Sequence, residues 1–239
     1  MSNKFHWGAG MFPMIQVAGI VDQEEARMLV DSRVTHLGFP LRLPIHREDL
    51  SEAQAAQIIS NLPRHVHSVL ITYLDRASEL KELREYLGLG AIQIHGDIAV
   101  EELQQLRRQV PECFLIKSLV IEPNDQEGRL MLDDLERFQP WVDAFLTDTF
   151  DPVSGASGAT GKTHDWHLSK KAVALSRKPI ILAGGLNPAN VALAIRTVQP
   201  AGVDAHTGLE GKDGRKDPQK VKDFVAQTTR AFKTWGNHS

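Results

Sequence analysis

The chain has 239 residues and a net charge of −3, which arises from 27 basic and 30 acidic residues. Hydrophobic residues make up 42% of it and charged residues 24%, a composition typical of a folded protein and unlike that of a disordered chain. There is no basic stripe for nucleic acid, no apolar run near the ~20 residues of a membrane span, and no signal-peptide core. The single cysteine, Cys113, excludes an internal disulfide. We therefore expect a cytoplasmic protein whose partners include neither nucleic acid nor a membrane.

Along the chain, eight short apolar runs alternate with eight amphipathic stretches. The predicted strands are Met14–Ala18, Val34–Phe39, Ser68–Tyr73, Ala91–Ile94, Phe114–Ser118, Ala144–Thr147, Pro179–Ala183 and Gly202–Ala205. The predicted helices are Glu24–Ser32, Glu52–Asn61, Ser78–Leu87, Val100–Gln109, Arg129–Phe138, His167–Ser176, Ala189–Val198 and Gln219–Phe232. Asp22 and Ser51 are predicted N-caps, and Asp217 precedes a proline at the first position of the last helix.

The strand pattern predicts the fold class. Strands that are apolar on both faces favour a parallel sheet, and eight β-α units in this length fit a closed barrel better than an open sheet. No linker or low-complexity stretch divides the chain. We therefore predict an α/β protein with a single (β/α)8 TIM barrel over residues 14–234, preceded by an N-terminal extension at residues 1–13.

Polar residues follow several of the predicted strands, where the active sites of TIM barrels lie. They are Arg47, His95, Asp148, Asp204 and His206. Lys117, inside the fifth strand, could reach the barrel interior and pair with a carboxylate. The segment 148–164 is rich in Gly, Ser and Thr, contains Lys162 as a possible cation, and predicts a lid over the barrel mouth.

Glycines follow the last two predicted strands, as Gly184-Gly185 and Thr207-Gly208. Such residues let backbone N–H groups approach an anion, and helix N-termini that follow add positive potential. Two glycines after a strand more often form a tight turn, so the prediction depends on both loops meeting at the place where barrels commonly bind phosphate. We expect a small phosphorylated substrate here, with Gly184, Gly185, Thr207 and Gly208 among its ligands.

Four sequence segments resemble those of a known family. They are IQIHGD at Ile92–Asp97, GATGKTHDW at Gly158–Trp166, LAGGLNPANV at Leu182–Val191, and GVD…GLE…GRKD ending at Asp217. From about Ile15 to Phe232, the chain resembles the phosphoribosylanthranilate isomerases of tryptophan biosynthesis. The resemblance implies an Amadori aldose-ketose isomerisation of a phosphoribosyl amine, with no cofactor and no metal, in a monomer or a homodimer.

The resemblance also implies roles for individual residues. Asp148 matches the general acid, and Arg47 matches the residue that faces the anthranilate carboxylate, a task that suits a guanidinium. Each has a plainer alternative, because Asp148 is also placed to cap or brace a turn and Arg47 to pair with its acidic neighbours on the surface. His95 is either a substrate ligand or a structural histidine, and Asp204 either binds substrate or only braces the barrel mouth.

The chain departs from the family where the general base belongs. Ala18 stands at the position of the family's strand 1 cysteine, and His206-Thr207 replaces a serine pair after strand 8. Strands 8 and 1 are neighbours in a closed barrel, so His206 is a candidate catalytic base near Ala18. Otherwise His206 contacts the phosphate, or no base is present. Two alternatives to the isomerase remain: a paralogue acting on another phosphorylated sugar or amine, and a non-catalytic protein that binds a phosphoribosyl ligand.

Overall fold

The computed structural model describes residues 13–44, 48–121, 127–151, 156–157 and 166–236. Its strands are β1 Met14–Ala18, β2 His36–Pro40, β3 His67–Thr72, β4 Ala91–Ile94, β5 Phe114–Ile121, β6 Ala144–Asp151, β7 Ala156–Ser157, β8 Ile180–Leu182 and β9 Gly202–Ala205. Its helices are α1 Gln23–Asp31, α2 Glu52–Ser60, α3 Ala77–Leu87, α4 Val100–Gln109, α5 Arg129–Phe138, α6 Trp166–Leu175, α7 Val191–Val198 and α8 Pro218–Gly236.

Eight of the strands form a closed parallel barrel. Their order is β5-β4-β3-β2-β1-β9-β8-β6, and β5 pairs in parallel with β6 to close the ring. The short β7 lies outside the ring and pairs antiparallel with the end of β6. The predicted TIM barrel is therefore confirmed, with β8 and β9 as its seventh and eighth strands. The proposed N-terminal extension lies almost entirely outside the described residues.

Local signals set several element boundaries as predicted. Asp22 accepts a hydrogen bond from the backbone N–H of Glu25 at the start of α1, and Ser51 forms a capping box with Gln54 at the start of α2. β5 is longer than predicted, because its pairing with β6 continues as far as Ile121. Pairing between strands is a tertiary contact, and a propensity pattern in one segment does not contain it.

Alternate residues of the strands point into the barrel, where they form two layers of different chemistry. The apolar layer consists of Met14, Val69, Ala91, Phe114, Ile116, Ala144, Leu146, Ile181 and Ala183. The polar layer consists of Gln16, Gln93, His95, Ser118, Asp148 and Asp204, all buried. On β1, β4, β5 and β6 it lies two or four residues beyond a member of the apolar layer, and Asp204 of β9 lies opposite Gln16 of β1. The polar layer therefore lies towards the carboxyl ends of the strands, above the apolar layer.

Lys117 does not reach the barrel interior, so that prediction is wrong. Its neighbours on β5, Ile116 and Ser118, take the two inward positions, and strand alternation places Lys117 on the outer face. There its Nζ lies 5.5 Å from the centre of the Phe138 ring of α5 and donates to the carbonyl oxygen of Ser118. Burial lowers the pKa of Lys117 to about 8. The amine is therefore remote from the barrel mouth.

Candidate active site

Two buried carboxyl groups lie at the barrel mouth. Asp148 is on β6 and Asp204 on β9, and their residues are 7% and 8% exposed. Burial and the negative charge of Asp148 raise the pKa of Asp204 to about 7. Among the described residues, no group makes a hydrogen bond to the Oδ1 atom of Asp204. A buried carboxyl whose pKa lies near neutral pH can accept or release a proton there, which is the property that acid-base chemistry requires.

A chain of hydrogen bonds crosses the barrel from Gln16 to His95. Gln16 lies opposite Asp204 in the pairing of β1 with β9, and its Nε2 donates to Gln93 Oε1 at 2.9 Å. Gln93 Nε2 donates to Ser118 Oγ at 3.4 Å, and this hydroxyl lies 2.9 Å from His95 Nδ1. The imidazole of His95 is therefore held in a fixed orientation within the polar layer, which agrees with either of its predicted roles.

Tyr73, directly after β3, packs against His95 and interacts electrostatically with Asp148. Its ring meets the His95 ring edge-on, with 5.0 Å between the centres. Burial and the negative charge of Asp148 raise the pKa of the Tyr73 phenol to about 12. The phenol therefore stays protonated at physiological pH and provides a neutral donor at the barrel mouth.

The two glycine loops meet at the mouth. Gly184 and Gly185 have φ angles of 91° and 62°, which L-residues with a side chain rarely adopt. The loop after β9 touches this turn, because a Cβ on Gly208 would overlap the carbonyl oxygen of Leu186. Asn190, at the start of α7, donates from Nδ2 to the carbonyl oxygen of Gly185 at 3.0 Å and fixes the turn.

These loops and the carboxyl groups enclose one small cavity, which we name the β8–β9 cavity. Its lining includes Asp148, Gly184, Gly185, Asp204, His206, Thr207 and Gly208. The structure thus brings together seven of the nine predicted site residues. The residues directly after β9 form a 3-10 turn, Thr207–Leu209, so only α7 starts directly behind a glycine loop.

His206 lies beside the end of β1, as a closed barrel predicts. β1 and β9 pair with Val17 opposite Ala205, and the imidazole covers Gly19, where a Cβ would overlap His206 Nε2. Gly19 has a φ angle of 75°, and it is next in sequence to Ala18. Only a glycine leaves this space for the ring.

No thiol replaces the family cysteine at Ala18 among the described residues. Ala18 is buried at the carboxyl end of β1, and its side chain is only a methyl group. The single cysteine, Cys113, precedes β5 at the opposite end of the barrel. Burial raises the pKa of its thiol to about 12, so the thiolate is not formed at physiological pH.

Two predicted features lie outside the described residues. Arg47 is one, and the greater part of the 148–164 loop, including Lys162, is the other. The described part of this loop forms a short hairpin, in which Phe150 pairs with Ser157. The predicted contact of Arg47 with a carboxylate and the predicted lid remain predictions.

Sequence reasoning missed several residues at the mouth. They are Gln16, Tyr73, Gln93, Ser118, Glu210 and Lys216. Four of them carry a readable signal, because they lie on strands at even spacings from apolar residues that face the barrel interior. Lys216 carries no such signal, although its side chain is only 1% exposed. It belongs to an irregular segment whose course depends on tertiary contacts.

In the part of the chain that the structure describes, no helix is both long enough and apolar enough to cross a membrane. No group of three or more His, Cys, Asp or Glu side chains in this part of the chain is arranged to hold a metal ion.

Solved structures share the barrel. Phosphoribosylanthranilate isomerase from Thermotoga maritima superposes with a TM-score of 0.77 at 29% identity, over 92% of this chain and 100% of that one. A phosphoribosylanthranilate isomerase in complex with reduced 1-(o-carboxyphenylamino)-1-deoxyribulose 5-phosphate superposes with a TM-score of 0.75 at 26% identity, again over 92% and 100%.

Sequence comparison gives the same result. N-(5'-phosphoribosyl)anthranilate isomerase 2 of Methanosarcina mazei is 36% identical over 220 residues, covering 91% of this chain and 95% of that protein. The isomerase of Desulforudis audaxviator is 35% identical over 92% of this chain and 99% of its own length. The family model for N-(5'phosphoribosyl)anthranilate (PRA) isomerase matches residues 15–227. The chain belongs to the phosphoribosylanthranilate isomerase family.

Proposed function

We propose that the protein isomerises N-(5'-phosphoribosyl)anthranilate to the corresponding 1-deoxyribulose 5-phosphate, a step of tryptophan biosynthesis. The observation that carries this proposal is the β8–β9 cavity, which combines a carboxyl pair with two glycine loops in a chain of this family. The reaction moves a proton from C2 of the sugar to C1 and needs no redox cofactor. An acid and a base within reach of one sugar ring are sufficient.

Asp148 is the proposed general acid. It protonates the furanose ring oxygen, and the ring then opens to a protonated imine. Its support is its place in the lining of the β8–β9 cavity, together with Asp204 and the glycine loops. Asp204 is proposed to bind the substrate through Oδ1, which has no hydrogen-bond partner among the described residues.

The glycine loops are the proposed phosphate site. Gly184, Gly185, Thr207 and Gly208 line the β8–β9 cavity, and backbone N–H groups beside α7 suit a phosphate anion. A crystal soaked in inorganic phosphate should show the anion between these loops, and an anion bound elsewhere with the loops empty contradicts the assignment. Arg47 and His95 are proposed to bind the anthranilate end.

His206 is the proposed catalytic base. Its support is its position above Gly19, next to the alanine that replaces the family cysteine. The imidazole takes the proton from C2, and the electron pair of the C2–H bond forms the C1=C2 double bond while the imine nitrogen accepts the displaced pair. The enolamine then becomes the ketone. An imidazole is suited to this step because it changes charge near neutral pH.

The decisive experiment is turnover of purified protein with phosphoribosylanthranilate, followed by the decay of its fluorescence. We expect steady turnover, reduced by about 10²-fold or more in His206→Asn, the loss typical for removal of a general base. Full activity of the variant would assign His206 to the phosphate or to packing.

One observation favours a second candidate, a paralogue that acts on another phosphorylated sugar or amine. Ala18 removes the thiol that the family uses as base. Turnover of a different phosphoribosyl amine, with none of phosphoribosylanthranilate, would select it. For either reaction we propose a cytoplasmic enzyme, monomeric or homodimeric.

A further inference from the structure

A row of charged side chains continues from His206 away from the β8–β9 cavity. His206 Nε2 lies 3.3 Å from Glu210 Oε1, and the same oxygen lies 3.0 Å from Lys216 Nζ. Glu210 directly follows the 3-10 turn after β9. The imidazole therefore has a carboxylate at one nitrogen, and that carboxylate has an ammonium group behind it.

Lys216 is fixed by β1 and α1. Its Nζ also donates to the carbonyl oxygen of Gly19 at 3.1 Å, and its backbone N–H donates to Glu25 Oε1 at 2.7 Å. The other oxygen of Glu25 accepts from the backbone N–H of Val21 at 3.0 Å. The Lys216 ammonium group is thus held at Gly19, the residue that the His206 ring covers. Its ion pair keeps the Glu210 carboxylate in place.

We propose that Glu210 is a positioning residue for His206 in the isomerisation, and that Lys216 holds Glu210 in place. This inference rests on the proposed role of His206 as the base. A proton on Nε2 faces the Glu210 carboxylate, so the neutral imidazole carries its proton there and presents Nδ1 as the acceptor. After proton transfer from C2 the imidazolium faces the carboxylate, which stabilises it.

Other charges around this row set the size of the effect. The positive charge of Lys216 opposes the protonation of His206. A negative charge on Asp148 or Asp204, which line the β8–β9 cavity together with His206, favours it. Asp49, which precedes α2, interacts electrostatically with Lys216 and Glu210. Since Lys216 screens Glu210, we expect the carboxylate to act more weakly than it would alone.

The test compares Glu210→Gln with Glu112→Gln. A glutamine at position 210 keeps an oxygen for Lys216 and removes the negative charge. Glu112 is a matched control, because its carboxylate pairs with Arg84 at 2.9 Å and it precedes β5 at the opposite end of the barrel. We would record kcat and kcat/KM against pH with phosphoribosylanthranilate. The imidazole of His206 would also be titrated by nitrogen NMR, with His206→Asn identifying its signal.

In Glu210→Gln we expect the His206 titration and the ascending limb of kcat to move together to lower pH, by about 0.5–1 unit. We also expect kcat to fall about 10-fold with KM nearly unchanged, Glu210→Asp to recover part of the loss, and Glu112→Gln to change neither. A His206 titration unmoved in Glu210→Gln overturns the positioning role, whatever the activity. If the His206 titration shifts in Glu210→Gln while the ascending limb of kcat against pH does not, His206 is not the base, and the catalytic role of this contact is overturned. A parent with no turnover refutes the proposed function, whereas the NMR arm still tests the contact.

Discussion

The apolar layer and the polar layer of the barrel interior differ in what their side chains do. Every side chain of the apolar layer is apolar and buried, and the layer stabilises the closed ring without taking part in acid-base chemistry. The polar layer is equally buried, yet its residues are hydrogen-bonded or charged, and one carboxyl oxygen of Asp204 lacks a partner among the described residues. A step of two residues along a strand therefore separates stability from chemistry.

This difference follows from the cost of burying polar atoms. A buried amide or hydroxyl destabilises the fold unless it is hydrogen-bonded. The hydrogen bonds from Gln16 through Gln93 to Ser118 meet that requirement except at Gln16 Oε1, which has no partner among the described residues. Asp204 Oδ1 has no hydrogen-bond partner among the described residues, and in the proposed function the substrate supplies that partner. A substitution in the polar layer should therefore lower turnover, whereas one in the apolar layer should lower the free energy of unfolding.

The largest effect is expected from Asp148→Asn, in the polar layer. The variant should lose at least about 10²-fold in turnover, because an amide cannot donate the proton that opens the ring. Binding of the phosphorylated product should change little, since the loops that hold the phosphate are intact. Steady-state kinetics and product titration measure both. Near-normal turnover would leave Asp148 as a brace or a cap.

The matched change in the apolar layer is Leu146→Ala, two residues earlier on β6. Leu146 is fully buried, so the truncation should lower the free energy of unfolding by about 2–5 kcal/mol. The turnover of the folded fraction should stay within a few-fold of the parent. Urea denaturation and kinetics below the transition test this pair. A loss of turnover equal to that of Asp148→Asn would mean that the layers are not functionally separate.

The barrel could be predicted from sequence, whereas several residues of the site could not. Three strands, among them Met14–Ala18, have the predicted bounds, because short apolar runs in a buried parallel sheet carry a strong local signal. Asp148 and His206 were found because they follow such runs. The prediction for Lys117 is wrong, because strand alternation along β5 turns its side chain to the outer face, towards Phe138 of α5.

Other parts of the site depend on contacts between distant segments. The ion pair of Lys216 with Glu210 and its hydrogen bond to Gly19 join β1 to the segment before α8. No local pattern indicates that this lysine is buried, since most lysines are exposed. Tyr73 ends a predicted strand, but its ring contact with His95 depends on the pairing of β3 with β4.

Asp204→Asn should change how stability depends on pH. The pKa of Asp204 is raised from 3.8 to about 7 in the folded protein, so the folded state binds more protons than the unfolded state between these values. Its contribution to stability is full below the unfolded pKa and is lost as pH rises towards 7. The parent should therefore lose up to a few kcal/mol relative to the variant between pH 4 and pH 8.

Urea denaturation at pH 4, 6 and 8 measures this difference. The control is Asp75→Asn, because Asp75 is exposed and pairs with Arg76 across 3.7 Å, so its removal should leave the pH dependence as in the parent. Parallel stability curves for the parent and Asp204→Asn would show that Asp204 is ionised as easily as an exposed carboxyl.

The smallest effect is expected from Ala18→Cys, which restores the family's thiol at the edge of the polar layer. If His206 is the base, the single variant should change kcat only a few-fold, because one base is already present. In the His206→Ala background the thiol should recover about 10-fold of the lost turnover, since both side chains lie at the end of β1 and approach the same face of C2. The thiolate that this needs is favoured by Lys216, whose Nζ is 3.1 Å from the carbonyl oxygen of Gly19, and not by Lys117 on the outer face. Activity that appears in Ala18→Cys alone, from a parent without it, would mark the natural protein as an enzyme for a different phosphorylated substrate.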